Sequence, residues 1–390
     1  MAMTSEPNFL EPGNEPVRYL RLAELIRADI ENRALSPGDR LPSNNDLMRQ
    51  YGASLATVTR ALRVLQEAGL VETRRRSGVY LRERRDAQPE LRAEKVVALL
   101  APQFNDLFFG GILQGVDEVC GARGFRLIVA RSNFDAATER EQIERLSEQV
   151  AGLMIVPVTG GGTYAAYGVL LERKLPFVFL DRGVEGLSAP LIATDNERGG
   201  YLVGRHLLET GCLPVAVFCE LDSSSQRDRL AGFRRALREA GVAFDPSLVF
   251  RTTARNETAG FILAREWLAH SPAPRTGSRP GIFAMNDRVG RGAMVALREA
   301  GLSVPEDVAL AGFDDVDALL AHPPLTTMHQ NMPEMGRAAA RILLDIICFG
   351  RSAAPDQVRI PAELIVRNST DLSSDFSIAT LLSERAASHV

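Results

Sequence analysis

Between Leu41 and Leu81 the chain reads LPSNNDLMRQYGASLATVTRALRVLQEAGLVETRRRSGVYL, a pattern that few folds accommodate. Pro42 fixes its own backbone and pushes Leu41 out of the helical region, so a helix should begin just after it. Ser43 suits the N-cap, and Asp46 completes a capping-box-like pair. Leu47, Met48 and Tyr51 supply one apolar face; Gly52 ends the helix and Ser54 caps the next. Val58, Ala61, Leu62 and Leu65 then recur at i, i+3, i+4, i+7, the period of a helix with one buried face. Gly69 closes that helix. Leu70-Val71 and Val79-Tyr80-Leu81 flank Arg74, Arg75, Arg76, Ser77 and Gly78, which reads as a hairpin with a cationic tip. Two short helices, a tight turn and a basic hairpin make a winged helix-turn-helix.

With its apolar residues turned inward, the second helix leaves Leu55, Ala56, Thr57, Thr59, Arg60 and Arg63 facing outward. Small, hydroxyl and guanidinium groups suit a helix lying in the major groove of double-stranded DNA, where its first turn meets base edges. Ser43, Asn45 and Ser54 at the helix starts join the candidate DNA-binding set, and the arginine tip would meet phosphates. A small helical domain with a solvated charged face is the plain alternative, but cap, turn, period and basic wing all agree on the reader.

The same stretch resembles the DNA-binding domain of the GntR family of bacterial regulators. The resemblance rests on Leu41-Pro42-Ser43, Gly52-Ala53-Ser54-Leu55-Ala56-Thr57-Val58-Thr59, Ala61-Leu62 to Gly69-Leu70, and Ser77-Gly78. Asn45, Leu55 and Thr59 stand where that family commonly has arginines, so the resemblance implies an unusual operator, with Leu55 placed to pack on a thymine methyl.

Net charge sharpens the division of labour. Val17 to Arg85 holds 14 Arg against 8 Asp plus Glu, while the whole chain is −4, so the remainder carries −10. A basic head on an acidic body suits a DNA-binding domain joined to a small-molecule domain. Residues 1–16 read as a disordered N-terminus, 17–82 as the winged domain and 83–94, charged and polar, as a linker. A sensor is expected over 95–370 and a loosely ordered tail over 371–390. The first residues carry neither a basic start nor an apolar core, so no signal peptide is expected. No apolar run approaches membrane-spanning length. Cys120, Cys212, Cys219 and Cys348 lack metal or redox spacing and read as buried thiols in a reducing cytoplasm.

From Lys95 onward, short apolar runs alternate with amphipathic helices. Strands are expected at 96–100, 126–130, 152–156, 177–180, 215–219, 281–284 and 308–311. Helices are expected at 109–122, 136–149, 197–210, 229–240, 257–270, 287–300 and 333–349. The alternation predicts an α/β fold of parallel sheets covered by helices, divided into two lobes with a cleft between them. Ligands in such sheets sit at the carboxyl ends of strands. There the sequence places Asn105, Asp106, Phe108, Phe109, Asp181, Arg182, a serine-rich loop, Arg227, Arg229, Asn286, Asp287, Asp314, Asp315 and Gln330. Carboxylates, carboxamides, arginines and phenylalanines are the groups that grip a sugar: forked hydrogen bonds take vicinal hydroxyls and rings cover the apolar faces. Taken singly, each has a bland alternative: an ion pair, a helix cap or a core phenylalanine.

Residues 95 to about 370 resemble the effector domain of the LacI/GalR repressors, which is related to periplasmic sugar-binding proteins. The segments that carry this are Val178-Phe179-Leu180-Asp181-Arg182, Arg229-Leu230-Ala231-Gly232-Phe233, Ala284-Met285-Asn286-Asp287, Val304-Pro305-Glu306-Asp307-Val308, Gly312-Phe313-Asp314-Asp315 and Pro324-Leu325-Thr326-Thr327 leading to Gln330. The resemblance implies effector contacts at Asp181, Arg229, Asn286, Asp314 and Gln330, with Arg227 and the Asn105–Phe109 loop nearby; Arg182 joins the candidate set from its strand-end position. Arg255 falls near where many members place an aromatic; if it enters the cleft, an acidic sugar or sugar phosphate becomes a candidate. A GntR-type reader on a LacI-type sensor is similar to the hybrid architecture of the arabinose repressors.

The resulting expectation is a homodimeric repressor that binds a palindromic operator and is released by a small sugar. An activator, or a sensor of an acidic sugar, sugar phosphate or nucleobase, is the alternative. No enzyme, metal or cofactor is expected. Of the two lysines, Lys95 starts a strand and Lys174 ends a helix, so neither suits a Schiff base. His206, His270, His322, His329 and His389 fall in no nucleophile or metal motif.

Overall fold

The computed structural model describes residues 38–67, 70–74, 78–81, 95–104, 106–159, 164–220, 222–270, 279–350 and 355–371, together with Tyr19 and scattered residues between Leu22 and Ile30 of a first helical segment. The expected N-terminal disorder, the linker and all of the tail beyond Asp371 lie outside the described residues.

In the reader, the Ser43 hydroxyl accepts from the Asp46 N–H at 3.3 Å and the Asp46 carboxylate accepts from the Ser43 N–H at 3.2 Å. This reciprocal pair starts the helix Asn44–Tyr51, and Gly52 ends it in the left-handed region at φ 61°. The second helix, Leu55–Glu67, buries Val58, Ala61, Leu62 and Leu65 against Leu22, Ile26 and Ile30 of the first segment. Strands β1 (Val71–Arg74) and β2 (Gly78–Leu81) pair antiparallel as the wing. The backbone of Asp39–Leu41 bonds to the other edge of β2, closing the wing onto the helices.

The first sensor lobe is a six-stranded parallel sheet in the order β13–β7–β6–β5–β3–β4. Its strands are β3 (Val96–Ala101), β4 (Arg126–Arg131), β5 (Gly152–Ile155), β6 (Phe177–Leu180), β7 (Leu191–Thr194) and β13 (Gln357–Ile360). The second lobe is a four-stranded parallel sheet, β11–β10–β8–β9, from β8 (Cys212–Cys219), β9 (Val249–Arg251), β10 (Arg279–Ala284) and β11 (Ala309–Ala311). Strands β12 (Thr327–Gln330) and β14 (Ala362–Ile365) pair antiparallel beside it. Apolar side chains cover both faces of each sheet, which is why β3 reads VVALLA with no alternation.

The chain passes between the lobes after β7, after β12 and between β13 and β14. The crossings are tied together: the Asp195 N–H donates to the Ile360 carbonyl at 2.8 Å, and the Thr194 hydroxyl bonds the Gln330 carboxamide. In both sheets the strand order reverses beside the first strand, β4–β3–β5 and β9–β8–β10. That reversal opens a crevice at the carboxyl ends of the strands, and the two crevices face one cleft.

Several expectations needed correcting. Strands β7, β9, β12, β13 and β14 were not expected; they are three or four residues long, and β13 at the sheet edge carries exposed polar residues that hide its period. The helix Tyr164–Glu172 was also unexpected. The helix expected to begin at Arg229 begins at Ser224, because Ser223 is an N-cap whose hydroxyl accepts from the Gln226 N–H at 3.2 Å. The serine-rich stretch is therefore the first turn of a helix and not a loop.

Candidate functional site

The cleft spans about 780 Å³, open to solvent, and is walled by both lobes. From the first lobe come Gln103, Asp106, Phe108 and Phe109 after β3, Phe134 after β4, and Asp181 and Arg182 after β6. Asp106 caps the helix Leu107–Ala122 by accepting from the Phe109 N–H at 3.0 Å, which sets the two phenylalanines edge to face at 5.1 Å. Asp181 sits in the left-handed region at φ 64° and pairs with the Arg182 Nε at 2.9 Å, both side chains buried.

The second lobe supplies a denser polar network. Arg229 is 5 % exposed. Its Nε donates to the Asn196 Oδ1 at 2.8 Å, its Nη1 donates to the Met285 carbonyl and lies 3.5 Å from Asp314, and its guanidinium stacks 3.6 Å above Phe313. What seats it there is a close helix crossing. A Cβ at Gly232 would fall 1.8 Å from the Glu197 carbonyl oxygen, and one at Gly200 would fall 1.9 Å from the Arg229 carbonyl oxygen, so only glycine lets helices Asn196–Glu209 and Ser224–Glu239 touch.

Asn286 plays two parts. Its Oδ1 accepts from the Val289 N–H at 2.9 Å, capping the helix Asp287–Glu299, while its Nδ2 donates to Glu220 at 2.8 Å. The buried Asp287 accepts from the Thr327 hydroxyl at 2.5 Å and from the Val316 N–H at 2.9 Å. Asp314, at φ 114°, accepts from the Gln330 Nε2 at 2.6 Å. Burial pushes the carboxyls of Asp287, Asp314 and Glu220 upward; Asp314 adds to the rise at Asp287, and Arg229 opposes the rise at Asp314.

Among the sequence-predicted effector residues, Phe108, Phe109, Asp181, Arg182, Arg229, Arg255, Asn286 and Asp314 line this one cleft. Gln330 does not: it is fully buried at a lobe crossing and bonds Asp314 from behind. Arg227 does not either. It is exposed and pairs with Asp222 at 2.9 Å and Glu185 at 3.9 Å. Two residues along a helix is a turn of about 200°, so Arg227 and Arg229 cannot share a face. Asp315 pairs away from the cleft with Arg367 and His329, at 2.7 and 3.0 Å. Asn105 lies outside the described residues. Glu220 and Phe134 line the cleft without having been singled out. Glu220 directly follows β8, so the strand-end rule could have found it; Phe134 reaches the cleft through left-handed backbone at Asn133 and Phe134, which has no sequence signal.

On the reader, Ser43, Asn45, Ser54, Leu55, Ala56, Thr59 and Arg60 are exposed and Thr57 is half-buried. The Ser54 hydroxyl accepts from the Thr57 N–H at 3.3 Å, and the Thr59 hydroxyl donates back to the Leu55 carbonyl at 2.7 Å. Leu55 is 52 % exposed at the start of the helix, a large apolar side chain that the reader's own core does not use. Arg74 and Gly78 end and begin the wing strands; Arg75, Arg76 and Ser77 lie outside the described residues. Among the described residues no group of His, Cys, Asp and Glu could hold a metal ion, and no helix is long and apolar enough to cross a membrane.

Residues 18–81 match the gntR family of bacterial regulatory proteins, and residues 205–370 match the periplasmic binding protein-like domain. The chain is 30 % identical over 360 residues to an arabinose metabolism transcriptional repressor of Geobacillus stearothermophilus, covering 90 % of this chain and 97 % of that protein. It is 30 % identical over 258 residues to the HTH-type transcriptional repressor PurR of Vibrio atlanticus, covering 65 % of this chain and 75 % of that one. Among solved structures, a transcriptional regulator CelR–cellobiose complex superposes with a TM-score of 0.64 at 27 % identity, over 92 % of this chain and all of that one. The protein is a ligand-responsive, DNA-binding transcriptional regulator. It belongs to the family of repressors that join a gntR-type reader to a periplasmic-binding-protein-like sensor.

Proposed function

We propose that the protein acts in the cytoplasm as a homodimeric repressor of carbohydrate-utilisation genes. Residues 17–82 read one half-site of a palindromic operator, 83–94 link, and 95–370 sense. Leu55, Ala56, Thr57, Thr59 and Arg60 face base edges, and Ser43, Asn45, Ser54 and the wing from Arg74 to Gly78 meet the backbone. A small sugar enters the cleft, where Asp181, Arg182, Arg229, Asn286 and Asp314 take hydroxyls and Phe108 and Phe109 cover a ring face. Gln330 acts through Asp314.

The observation that carries this reading is the Gln330 junction. One carboxamide bonds Asp314 at the cleft wall and Thr194 at another lobe crossing, so ligand contact and lobe angle share a hydrogen-bond chain. A ligand that prefers the closed lobes shifts the population toward them and changes the spacing of the readers. The arabinose repressor relative and the cellobiose complex support a carbohydrate as effector.

The test is fluorescence anisotropy of labelled DNA from the region upstream of the gene, titrated with protein and then with a sugar panel. Saturable binding reversed by one sugar class is expected. Binding that no sugar alters, but a purine does, would replace the carbohydrate assignment.

A further inference from the structure

Arg255 stands apart from the other cations of the cleft. It precedes the helix Asn256–His270, and its carbonyl accepts from the Ala259 N–H at 3.2 Å, so its backbone is pinned. Its guanidinium is half-buried and lies 4.4 Å over the Phe134 ring, reaching from the second lobe to the first. Among the described residues the guanidinium makes no hydrogen bond or ion pair. The other lining arginines are engaged: Arg182 with Asp181, Arg229 with Asn196 and Asp314, Arg288 with Glu257 at 3.3 Å.

The carboxylate best placed to neutralise Arg255 is already used. Glu220, on the same lobe, attracts Arg255, but its Oε2 accepts from the Asn256 N–H at 2.5 Å and its Oε1 from Asn286 at 2.8 Å. Arg182, which also lines the cleft, repels Arg255. Arg182 and Arg255 thus line the same cleft, Arg182 paired with Asp181 and Arg255 beside a Glu220 that is turned to other donors. A guanidinium that loses water without gaining an acceptor is costly, and its planar fork matches a carboxylate edge. Closing the lobes on a neutral sugar would leave Arg255 with hydroxyl acceptors alone.

We propose that the effector is a polyhydroxylated carboxylate, a uronic or aldonic acid, whose carboxylate is held by Arg255 with Arg182 beside it, while Asp181, Asn286 and Arg229 take its hydroxyls. Arg255 is then the residue that sets acid over neutral sugar. The inference rests on the cleft being the effector site.

The experiment is isothermal titration of the full chain with matched pairs, galacturonate against galactose, glucuronate and gluconate against glucose. At least one acid should bind about 30-fold or more tightly than its neutral partner, the worth of a charge-assisted bond. Arg255→Gln should erase most of that ratio, whereas Arg255→Lys should keep a reduced preference; a cooperative thermal melt of each variant verifies folding. A neutral sugar that binds as well as its acid, or a ratio that Arg255→Gln leaves unchanged, would overturn the proposal while the sugar-sensing reading stands. Binding of neither acids nor neutral sugars would overturn both.

Discussion

The two lobes meet at one cleft but furnish it differently. The first lobe contributes three phenylalanines and a single buried ion pair, Asp181–Arg182. The second contributes Arg229, Asn286, Asp287, Asp314 and Glu220, each held by two or more hydrogen bonds or ion pairs. A network of that kind is rigid before any ligand arrives, and its polar groups have fixed directions. Aromatic faces make no such demand. The second lobe thus presents fixed polar groups to the cleft and the first presents ring faces.

That asymmetry can be broken most forcefully at Arg229. Replacing it with alanine strands Asp314 and Asn196 in a buried site and should cost about 3 kcal/mol or more of stability, read by urea denaturation, and abolish the effector response. An equally stable variant would show that the network is not what stiffens the lobe. Next is Gly232→Ala, whose added methyl must displace helix backbone; a loss of about 2 kcal/mol is expected by the same assay, with weaker effector binding as Arg229 shifts. A smaller effect belongs to the first lobe. Phe134→Ala should leave the melting temperature nearly unchanged and weaken effector binding about tenfold, one aromatic contact's worth.

The first lobe also carries a pH dependence. Glu139, fully buried in the first lobe, accepts from the Val158 N–H at 2.6 Å and from the Tyr167 hydroxyl at 2.9 Å. Burial pushes its carboxyl up to about 7 from an ordinary 4.5, against the pull of those two donors. Because its folded value is the higher one, the folded state holds the proton longer. Its contribution to stability should fall as pH rises from about 4.5 to about 7 and level off above that. Glu139→Gln should flatten that stretch of the melting-temperature profile; a profile unchanged by the substitution would assign the slope to the second lobe's carboxyls instead.

How legible each part was follows from the range of its interactions. The reader's signals are local: Ser43 and Asp46 are three residues apart, Val58 to Leu65 span two turns, and the wing pairs across a few residues. In the sensor, the long apolar strands and the strand-end positions of Asp181, Asn286 and Asp314 were readable because parallel sheets impose them. Arg227 was misplaced because a helix start hidden in four polar residues changed the face it occupies. Gln330 was found at a strand end, but whether it touched the cleft or its back wall depended on where β12 pairs with β14.

By itself, the sequence determined the winged reader, the alternation of strand and helix, and the set of polar residues gathered at strand ends. These depend on caps, periods and pleats that act within a few residues. Only the tertiary structure decided which arginines line the cleft, that Glu220 and Phe134 line it too, and that Gln330 links the cleft to the crossings. Those outcomes are set by contacts between residues as far apart as Thr194 and Gln330, whose meeting no local pattern encodes.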